Sequence, residues 1–345
     1  MKNSSCNSKC LPTLEEVPSR LVSGNVEQVI AASPLISIVI PTFMRPNLLR
    51  QTLDSVLRQP GIDNVEVVIT DNNPDDDETS AMMQKEYKRD NILYYKNSQN
   101  IDGAGNWNRM VMLSHGEWCV MLHDDDMMLP ERLPLFFKIV RQLPDADLIG
   151  FPAVDFHGKE PFASEVSLPS RVKVWPLSMR DQVRRNYISP CCTLFKREHW
   201  IELGGLDISG RYKPCDDYFL WMRFIEKYHS AWLCNANVGA YRWLDNDSLN
   251  PKTIKSVIAR NFEIQAAYIK GRSYWQFIDT VCLSYEYLRK RLRQINLGNQ
   301  EISELYKANG LRELSFMERI LTFFWKNAIR MRQEIFPRKG QRFIR

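Results

Sequence analysis

The sequence lacks any long apolar run: no stretch of its 345 residues approaches the roughly 18 consecutive apolar residues of a transmembrane helix. The first twelve residues are polar and lack the apolar core of a signal peptide, so we expect no secretory leader. Repeats at the periods of solenoid proteins are also absent. We therefore expect a protein that neither spans a membrane nor forms a repeat array.

Cysteine pairs of metal-binding or disulfide character are missing as well. None of the eight cysteines is part of a Cys-x-x-Cys pair, which excludes the usual zinc-site spacing. Cys119 lies inside an apolar run and Cys191 adjoins Cys192, positions that do not suit a disulfide framework. We therefore expect reduced thiols and a cytoplasmic location.

The composition is that of an ordinary globular protein, with 44% hydrophobic and 25% charged residues. The length fits one large domain with an appendage, or two domains. Charge is divided unevenly: residues 251–345 hold 19 Lys and Arg against 8 Asp and Glu, whereas residues 1–250 hold 27 against 33. An acidic body favours a cation-binding site, and a basic tail favours contact with an anionic surface.

Strand-like and helix-like segments alternate through the first half of the chain. The strand-like runs are apolar on both faces, as expected for strands buried in a parallel sheet, and the alternation is typical of α/β folds. Farther on, residues 151–174 are predicted as loops or short antiparallel strands, residues 217–227 as a helix and residues 253–335 as mostly helical. The predicted strands of the first half are 35–40, 65–70, 92–95 and 117–122, and the predicted helices are 46–59, 78–88 and 106–114.

Polar clusters follow three of these strands, at residues 41–42, 71–73 and 124–126. In open α/β sheets ligands bind beyond the carboxyl ends of the strands, so we expect the three clusters to meet there. The cluster at 71–73 has two interpretations. It is either an Asx-type turn that ends a strand, or a set of side chains that hydrogen-bond the edge of a nucleobase.

The most distinctive cluster is the acidic triplet Asp124, Asp125 and Asp126. Three adjacent carboxylates repel one another unless a cation or a basic partner lies among them. At a strand end Asp124 and Asp126 point to one side and Asp125 to the other, so one or two of them can reach a divalent ion. Oxygen ligands with open positions suit Mg²⁺ or Mn²⁺. The alternative is a solvated loop in which one Asp caps the helix after Pro130.

A second acidic pair, Asp216 and Asp217, precedes a predicted helix whose apolar residues recur at helical spacing. The spacing alone favours a helix N-cap, which is a common use of Asp. Alternatively, Asp217 lies at the same pocket as the triplet and acts as a general base, with its pKa raised by a nearby carboxylate and by partial burial.

Five stretches match the motifs of one family in order and in spacing: residues 37–45, 67–72, 116–130, 204–207 and 216–223. On these stretches the chain resembles glycosyltransferase family 2, over about residues 35–250. The resemblance implies the GT-A fold, a Rossmann-like, mostly parallel sheet flanked by helices, here with a helical C-terminal extension. It also implies an inverting transfer of a sugar.

The resemblance further implies roles for the acidic residues. Asp125 would be the principal ligand of Mn²⁺ or Mg²⁺ on a diphosphate, with Asp124 or Asp126 as the second carboxylate. Asp217 would deprotonate the acceptor hydroxyl, with Asp216 as its acidic neighbour.

A nucleotide-sugar donor would bind at the strand ends and at the loop before the third helix. Thr42, Phe43 and Asp71 would hold its base and ribose. The whole set implied for the donor is Pro41, Thr42, Phe43, Arg45, Asp71, Asn72, Gly103, Asn106 and Asp124.

Two positions depart from the family's motifs. His123 stands where the usual Asp-x-Asp has its first Asp, which leaves open which carboxylate pairs with Asp125. Leu244 stands where an Arg-x-His motif has its His, so that contact is missing or is supplied by Asp245 or Asp247.

The C-terminal region has an apolar helical stripe with basic residues opposite it. The helix either packs on the protein's own core or lies on an anionic membrane surface, as in family members that elongate lipid-linked sugars at the cytoplasmic leaflet. No nucleic-acid recognition motif accompanies these charges, so we expect no nucleic-acid partner. The apolar stripe comprises Met317, Leu321, Phe324, Ala328, Met331 and Ile335, and the basic residues are Arg319, Lys326, Arg330, Arg338, Lys339, Arg342 and Arg345.

The sequence therefore predicts a metal-dependent inverting glycosyltransferase. It would move a sugar from a UDP-, dTDP- or GDP-linked donor to a hydroxyl of a lipid-linked or polysaccharide acceptor. We expect this in bacterial O-antigen or other surface-polysaccharide synthesis, in the cytoplasm or on the inner face of the cytoplasmic membrane. One alternative is a nucleotide-sugar-binding scaffold that has lost catalysis. The other is a sugar-1-phosphate nucleotidyltransferase, which needs a Gly-rich loop that residues 41–45 lack.

Three regions are predicted along the chain. Residues 1–33 form a poorly ordered extension, residues 34–250 the catalytic domain and residues 251–345 a basic, mostly helical region. Within the catalytic domain, residues 34–135 would bind the nucleotide-sugar and residues 136–250 the acceptor.

Overall fold

The fold is seen in a computed structural model, which describes residues 15–75, 77–184 and 186–243, scattered positions from 253 to 324, and residues 340–344. Thirteen strands and eight α-helices lie in these described residues. The strands are β1 (Ser19–Ser23), β2 (Ile36–Thr42), β3 (Glu66–Asp71), β4 (Ile92–Asn97), β5 (Trp118–Met121), β6 (Met127–Met128), β7 (Leu148–Gly150), β8 (Ala153–His157), β9 (Val172–Pro176), β10 (Thr193–Lys196), β11 (Ala231–Cys234), β12 (Gly239–Trp243) and β13 (Arg342–Ile344). The helices are α1 (Val26–Ala32), α2 (Pro46–Leu57), α3 (Asp77–Glu86), α4 (Asp102–Met112), α5 (Arg132–Gln142), α6 (Met179–Arg184), α7 (Arg197–Glu202) and α8 (Asp216–Tyr228).

Ten of the strands form one mixed sheet in the order β1-β4-β3-β2-β5-β10-β7-β11-β9-β13. The central strands β4, β3, β2 and β5 are parallel, whereas β1, β9 and β10 run against the others. All seven residues of β2 are buried, as predicted for a strand covered on both faces. The predicted Rossmann-like, mostly parallel architecture is confirmed.

Alternate residues of β2 face the two helical layers, because successive side chains of a strand point to opposite sides. Ile38 and Ile40 belong to a cluster with residues of α2, α3 and α5, whereas Val39 packs with residues of α4 and α8. α2 begins at Pro46, where the fixed φ of proline suits the first helical turn. The parallel course of β2, β3 and β5 brings their carboxyl ends to one edge of the sheet.

A second sheet of three short strands, in the order β6-β12-β8, lies beside this edge. β8 falls in residues 151–174, which are predicted as loops or short antiparallel strands, but it pairs in parallel with β12. β9, from the same segment, is antiparallel to β11 as expected. The parallel pairing escapes prediction because β8 is short and its partner lies about 85 residues away along the chain.

The N-terminal region is more ordered than predicted. The sequence favours a poorly ordered extension over residues 1–33, but β1 pairs antiparallel with β4 at the edge of the sheet and α1 follows it. Val17 is buried, and Arg109 Nη1 donates to the Val17 carbonyl at 2.5 Å and to Ser19 Oγ at 2.7 Å. The prediction is wrong for the described part of this region, because a short edge strand owes its order to pairing rather than to its own apolar pattern.

Most of the C-terminal region, residues 251–345, lies outside the described residues, and so do Ala328, Met331 and Ile335 of its predicted apolar stripe. At its end β13 pairs antiparallel with β9 and adds the last strand of the sheet, which no sequence pattern predicted. The guanidinium carbon of Arg342 lies 5.0 Å from the ring centre of Trp232. Among the described helices, none has the length and apolar character needed to cross a membrane. The domain boundaries stay predictions.

Candidate active site

The polar residues that follow β2 and β5 meet at one edge of the large sheet, as predicted. Thr42, the last residue of β2, donates its hydroxyl to Asp124 Oδ2 at 2.8 Å. Arg45, just before α2, places Nη1 3.0 Å from Asp125 Oδ2 and 3.5 Å from Asp124 Oδ1. The acidic triplet therefore contacts the residues that follow the first buried strand.

Asp126 is the most enclosed member of the triplet and is fully buried. Its Oδ1 accepts the backbone N–H of Arg242 at 2.9 Å, and its carbonyl accepts the hydroxyl of Thr52 at 2.7 Å. The Arg242 Nε donates to the carbonyl of Asp125 at 2.7 Å. Residues of α2 and β12 thus fix the backbone of the triplet and the Oδ1 of Asp126 from two sides.

Arg242 is a site residue to which the sequence assigned no role. Its guanidinium donates to the carbonyls of Gly158 and Glu160 at 2.7 and 3.1 Å, and to Gln51 Oε1 at 2.6 Å. The guanidinium carbon also lies 4.5 Å from the ring centre of Phe156. The only sequence signal for this position is that it matches the Arg of the Arg-x-His motif. The motif does not indicate the hydrogen-bond partners of Arg242, because they lie far away along the chain.

The carboxylates of the triplet face three basic side chains, His123, Arg45 and Arg242. Burial, together with the charge of Asp125, raises the pKa of Asp124 to about 6, and burial also raises the pKa of Asp125. Burial alone would lower the pKa of His123, but the hydrogen bond to Asp126 and the charges of the triplet raise it to about 9. Arg45 adds a second cation, although 47% of its side chain is exposed. Because burial disfavours the charged form of these carboxyl groups, a cation bound beside them would stabilise it.

Three residues at the triplet fit a divalent cation. His123, Asp125 and Asp126 each offer one possible ligand atom, and these atoms lie within 4.8 Å of one another. Asp124 is outside this group, and its oxygens contact Thr42 and Arg45 instead. The predicted cation-binding cluster is therefore present, and Mn²⁺ or Mg²⁺ as its ion stays a prediction. The pairing of Asp124 or Asp126 with Asp125 stays a prediction, and the geometry favours Asp126.

Asp71 and Asn72 end β3 with their side chains engaged in the fold. Asp71 Oδ1 accepts the N–H of Asn73 at 2.9 Å, which is the predicted alternative of an Asx turn, and Oδ2 accepts the hydroxyl of Tyr94 at 2.7 Å. Asn72 Nδ2 donates to Asn100 Oδ1 at 2.8 Å and so holds the loop before α4. Contact of either residue with a nucleobase stays a prediction.

Asn97 is a buried connector that the sequence did not indicate. Its Nδ2 donates to Asn72 Oδ1 at 3.1 Å and to Asn106 Oδ1 at 2.9 Å. Asn106 Nδ2 in turn donates to the carbonyl of Thr70 at 2.9 Å. The structure thus places Asn106 beneath the site, with both ends of its amide bonded inside the fold, whereas the sequence predicted a direct approach to the donor.

The other residues predicted to bind the nucleotide-sugar differ in exposure. Pro41 is buried within β2, whereas Phe43 is exposed just beyond it. Gly103 is exposed in the first turn of α4, and no heavy atom lies within 4 Å of the position that a Cβ would take. Phe43 and Gly103 can therefore reach a ligand directly, while Pro41 can act only through the backbone.

Asp217 lies in the first turn of α8. The residue at the N-cap position is Cys215, so the N-cap role that the spacing favoured for Asp217 is wrong. Its Oδ2 accepts from Asn186 Nδ2 at 3.4 Å. Burial raises the pKa of Asp217, while the backbone N–H of Tyr218 and the charge of His123 limit the rise. Asp217 is therefore close enough to His123 for the charge of that imidazole to act on it.

Aromatic rings flank His123, a feature that the sequence did not indicate. The ring centre of Trp107 lies 4.8 Å from that of His123, and the ring centre of Tyr241 lies 6.5 Å away. Trp243 follows at 5.2 Å from Tyr241. These rings are partly exposed and offer flat apolar surfaces beside the carboxylates. Leu244, at the position of the family's His, lies outside the described residues, and so do Asp245 and Asp247, which were predicted to replace its contact.

Residues 37–203 match the sequence model of the family described as Glycosyl transferase family 2. Among similar curated proteins is the uncharacterized glycosyltransferase MJ1057 of Methanocaldococcus jannaschii, which is 28% identical over 34% of this chain and 40% of the relative. Another is the putative colanic acid biosynthesis glycosyl transferase WcaA of Escherichia coli, which is 29% identical over 58% of this chain and 69% of the relative. The GalNAc(5)-diNAcBac-PP-undecaprenol beta-1,3-glucosyltransferase of Campylobacter jejuni is 33% identical over 28% of this chain and 31% of the relative. The chain thus spans less than two thirds of two of these three relatives.

The fold is similar to that of TarS 1–349 from S. aureus, with a TM-score of 0.57 and 12% identity over 79% of this chain and 78% of that chain. The same protein in complex with UDP-GlcNAc gives a TM-score of 0.55 and 11% identity, over 79% of both chains. At this level of identity the likeness concerns the fold alone, and it confirms the GT-A type. The fold is therefore of the GT-A type, and residues 37–203, just under half of the chain, match glycosyltransferase family 2.

Proposed function

We propose that this protein is a divalent-cation-dependent, inverting glycosyltransferase that moves a sugar from a nucleoside-diphosphate donor to an acceptor hydroxyl. The observation that carries the proposal is the acidic triplet at the carboxyl edge of the sheet, with Asp217 within electrostatic reach of His123. A carboxylate cluster that can hold a cation serves the donor side of such a transfer, and a separate, half-buried carboxylate serves the acceptor side.

The donor side lies at the triplet. Asp125 and Asp126 would hold Mn²⁺ or Mg²⁺, which as a Lewis acid stabilises the negative charge of the departing diphosphate. Arg45, exposed and 3.0 Å from Asp125, adds positive charge at the same place. Phe43 and Asp71, at the ends of β2 and β3, are the residues that we propose for the base and ribose.

Asp217 is the residue that we propose as the general base. Because burial raises its pKa, its carboxylate accepts a proton more readily than an exposed aspartate does. Asp217 takes the proton of the acceptor hydroxyl as that oxygen bonds to the anomeric carbon. The bond from this carbon to the diphosphate oxygen breaks in the same displacement, which inverts the configuration of the sugar. Asn186 holds the carboxylate through Oδ2.

The substrate classes follow from the similar proteins. TarS, which shares the fold, has been seen with UDP and with UDP-GlcNAc, which makes uridine nucleotides the first donors to test before dTDP- and GDP-sugars. WcaA is named for colanic acid biosynthesis, and the Campylobacter relative for an undecaprenol-linked acceptor. We infer that this protein's acceptor is a lipid-linked or polysaccharide hydroxyl in surface-polysaccharide synthesis, such as that of an O-antigen.

We also propose that the protein works on the cytoplasmic face of a membrane. Five large apolar side chains between residues 316 and 324 are 50–76% exposed, and residues 251–345 carry an excess of positive charge. Exposed apolar residues next to basic ones are typical of helices that lie on anionic membranes. The five residues are Phe316, Met317, Leu321, Phe323 and Phe324.

Asp217→Asn tests the proposed transfer. Nucleotide-sugars are screened with Mn²⁺ and an acceptor, and the release of nucleoside diphosphate is measured. We expect Asp217→Asn to lower kcat by about 10²–10⁴-fold, because the amide cannot take the proton. The donor Kd should change by less than about threefold, because this carboxylate acts on the acceptor in the transition state.

Asp145→Asn is the matched control for this variant. Asp145 is exposed at the opposite edge of the sheet, just before β7, and undergoes the same chemical change. Equal transfer rates in the two variants would contradict the assignment of Asp217 as the base. Donor binding without turnover in the parent protein would instead make it a nucleotide-sugar binder.

A further inference from the structure

We propose that His123 is a nitrogen ligand of the divalent cation, so that this site binds transition-metal ions such as Mn²⁺, Co²⁺ or Zn²⁺ in preference to Mg²⁺. The inference rests on the proposed function and specifies its cofactor. It concerns a residue particular to this chain, since His123 stands where the family's motif has an aspartate.

The geometry brings the imidazole and two carboxylates together. His123 Nδ1 lies 3.2 Å from Asp126 Oδ2, and one ligand atom from each of His123, Asp125 and Asp126 falls within 4.8 Å of the others. An ion with ligands at about 2.1 Å requires ligand atoms no more than about 4.2 Å apart. A small side-chain adjustment closes the difference.

His123 has a buried ring nitrogen that hydrogen bonding does not satisfy. Its Nδ1 lies 3.2 Å from Oδ2 of Asp126, whose side chain is 1% exposed and whose Oδ1 accepts the N–H of Arg242. The buried Nε2 of His123 has no hydrogen-bond partner in the described part of the chain. A buried polar atom without a partner is costly. An ion bound by this imidazole, with Asp126 beside it, would remove the cost.

The surroundings of His123 restrict the orientation of its ring. Trp107 lies on one side at 4.8 Å between ring centres, and Tyr241 lies 6.5 Å away on β12. With its Nδ1 already beside Asp126, the ring needs little rotation to act as a ligand, and the ion takes the place of a proton that the imidazole otherwise carries. A ligand held in place before binding loses less conformational entropy when the ion arrives.

A nitrogen ligand changes which ion the site prefers. Carboxylates suit Mg²⁺ and Mn²⁺, whereas imidazole suits later transition metals, and affinity at a mixed nitrogen and oxygen site rises from Mn²⁺ to Co²⁺. Mg²⁺ is a hard cation that favours oxygen. An imidazole at position 123 therefore raises the affinity for Co²⁺ more than that for Mg²⁺, and an aspartate at this position would remove the difference.

Calorimetric titrations of the full chain with Co²⁺, Mn²⁺ and Mg²⁺, in the presence of UDP, test this preference. We expect His123→Asp to lower the ratio of Co²⁺ to Mg²⁺ affinity at least about tenfold. His123→Asn tests the same ligand in case a fourth carboxylate prevents folding. The matched control is His229→Asn, at an exposed position with a φ of 61°, a conformation that asparagine adopts readily.

A second readout does not depend on turnover. In protein labelled with ¹⁵N-histidine, Zn²⁺ should shift the ring-nitrogen resonances of one of the five histidines. The shift should be absent in His123→Asn and retained in His229→Asn.

Two results would overturn the inference: cation binding that leaves all five imidazoles unshifted, or an equal Co²⁺ to Mg²⁺ ratio in the parent and in both His123 variants. Failure of all three ions to bind in the presence of UDP would overturn it as well. The first two results leave the transferase proposal intact, whereas failure of every ion to bind would also remove its cation dependence. The failure of the transferase proposal itself is the absence of sugar transfer with every nucleotide-sugar and every ion.

Discussion

Asp216 begins α8 with a buried oxygen, Oδ1, that has no hydrogen-bond partner among the described residues. Burial, with the charges of Asp217 and Asp207, raises the pKa of Asp216 to about 6. In the unfolded chain an aspartate titrates near about 3.9, so the folded protein disfavours the carboxylate. By linkage, ionised Asp216 lowers the free energy of unfolding above its folded pKa, and this loss is relieved as the pH falls toward about 4.

We therefore expect Asp216→Asn to raise the free energy of unfolding at about pH 8 by about 1–2 kcal/mol, and to change it little at about pH 4.5. Urea unfolding at the two pH values measures both effects. Asp145→Asn, at an exposed position, should change neither value. A gain of the same size for Asp216→Asn at both pH values would mean that ionisation is not the cause.

Single residues could be predicted from the sequence where their surroundings are local. Thr42 and Asp124 each end a recognisable apolar strand, and parallel strands bring such ends together, which is why their contact was expected. Asn97 and Arg242 carry no such local signal. Arg242 contacts Asp126 from 116 residues away, and only the pairing of β12 with β6 and β8 brings it there.

At the scale of elements, β1 depends on a side chain from α4. Arg109 is fully buried and donates to the Val17 carbonyl and to Ser19 Oγ. We expect Arg109→Met to increase amide hydrogen exchange in residues 17–23 at least about tenfold, because the strand loses hydrogen bonds from a charged group worth about 1.5–3 kcal/mol each. Hydrogen exchange read by mass spectrometry measures this.

Arg20→Met is the control for the effect of Arg109→Met on the hydrogen exchange of β1. Arg20 lies on the same strand but is exposed. Its replacement should leave the exchange of residues 17–23 unchanged. If the two variants protect these residues equally, pairing with β4 alone holds the strand and Arg109 does not anchor it.

Elements with a self-contained apolar pattern were predicted well, and elements that depend on distant partners were not. β2 and β3 are buried on both faces and appear within two residues of their predicted ends. α4 begins at Asp102, whereas the sequence predicted a start at residue 106. The prediction missed the first turn because this turn contains Gly103 and Gly105, which are weak helix formers. Asn72, which bonds Asn100 and the carbonyl of Asp102, holds this turn in place instead.

At the scale of the whole molecule, acidic and basic charge are separated. Residues 1–250 carry a net charge of −6, and residues 251–345 carry +11. We expect the full chain to sediment with vesicles that contain phosphatidylglycerol, and not with phosphatidylcholine alone. The double variant Phe323→Ser/Phe324→Ser should lower the partition constant at least about tenfold, because burying each Phe contributes about 1.5–3 kcal/mol.

The control for membrane binding is Ile30→Ser/Ile201→Ser. It removes two exposed apolar side chains from α1 and α7, at 56% and 42% exposure, outside the C-terminal region. This variant should sediment like the parent. Equal binding by the two double variants would mean that residues 316–324 do not contact the lipid.

The position of Arg242 has a consequence for biosynthesis. The ribosome adds Asp126 to the growing polypeptide 116 residues before it adds Arg242, whose N–H and guanidinium hold the acidic triplet. A nascent chain that has not yet released β12 therefore has the carboxylates but not their scaffold. On the proposed assignment of the site, such a chain does not transfer sugar. Activity arises only after β12 has been synthesised and has paired with β6 and β8.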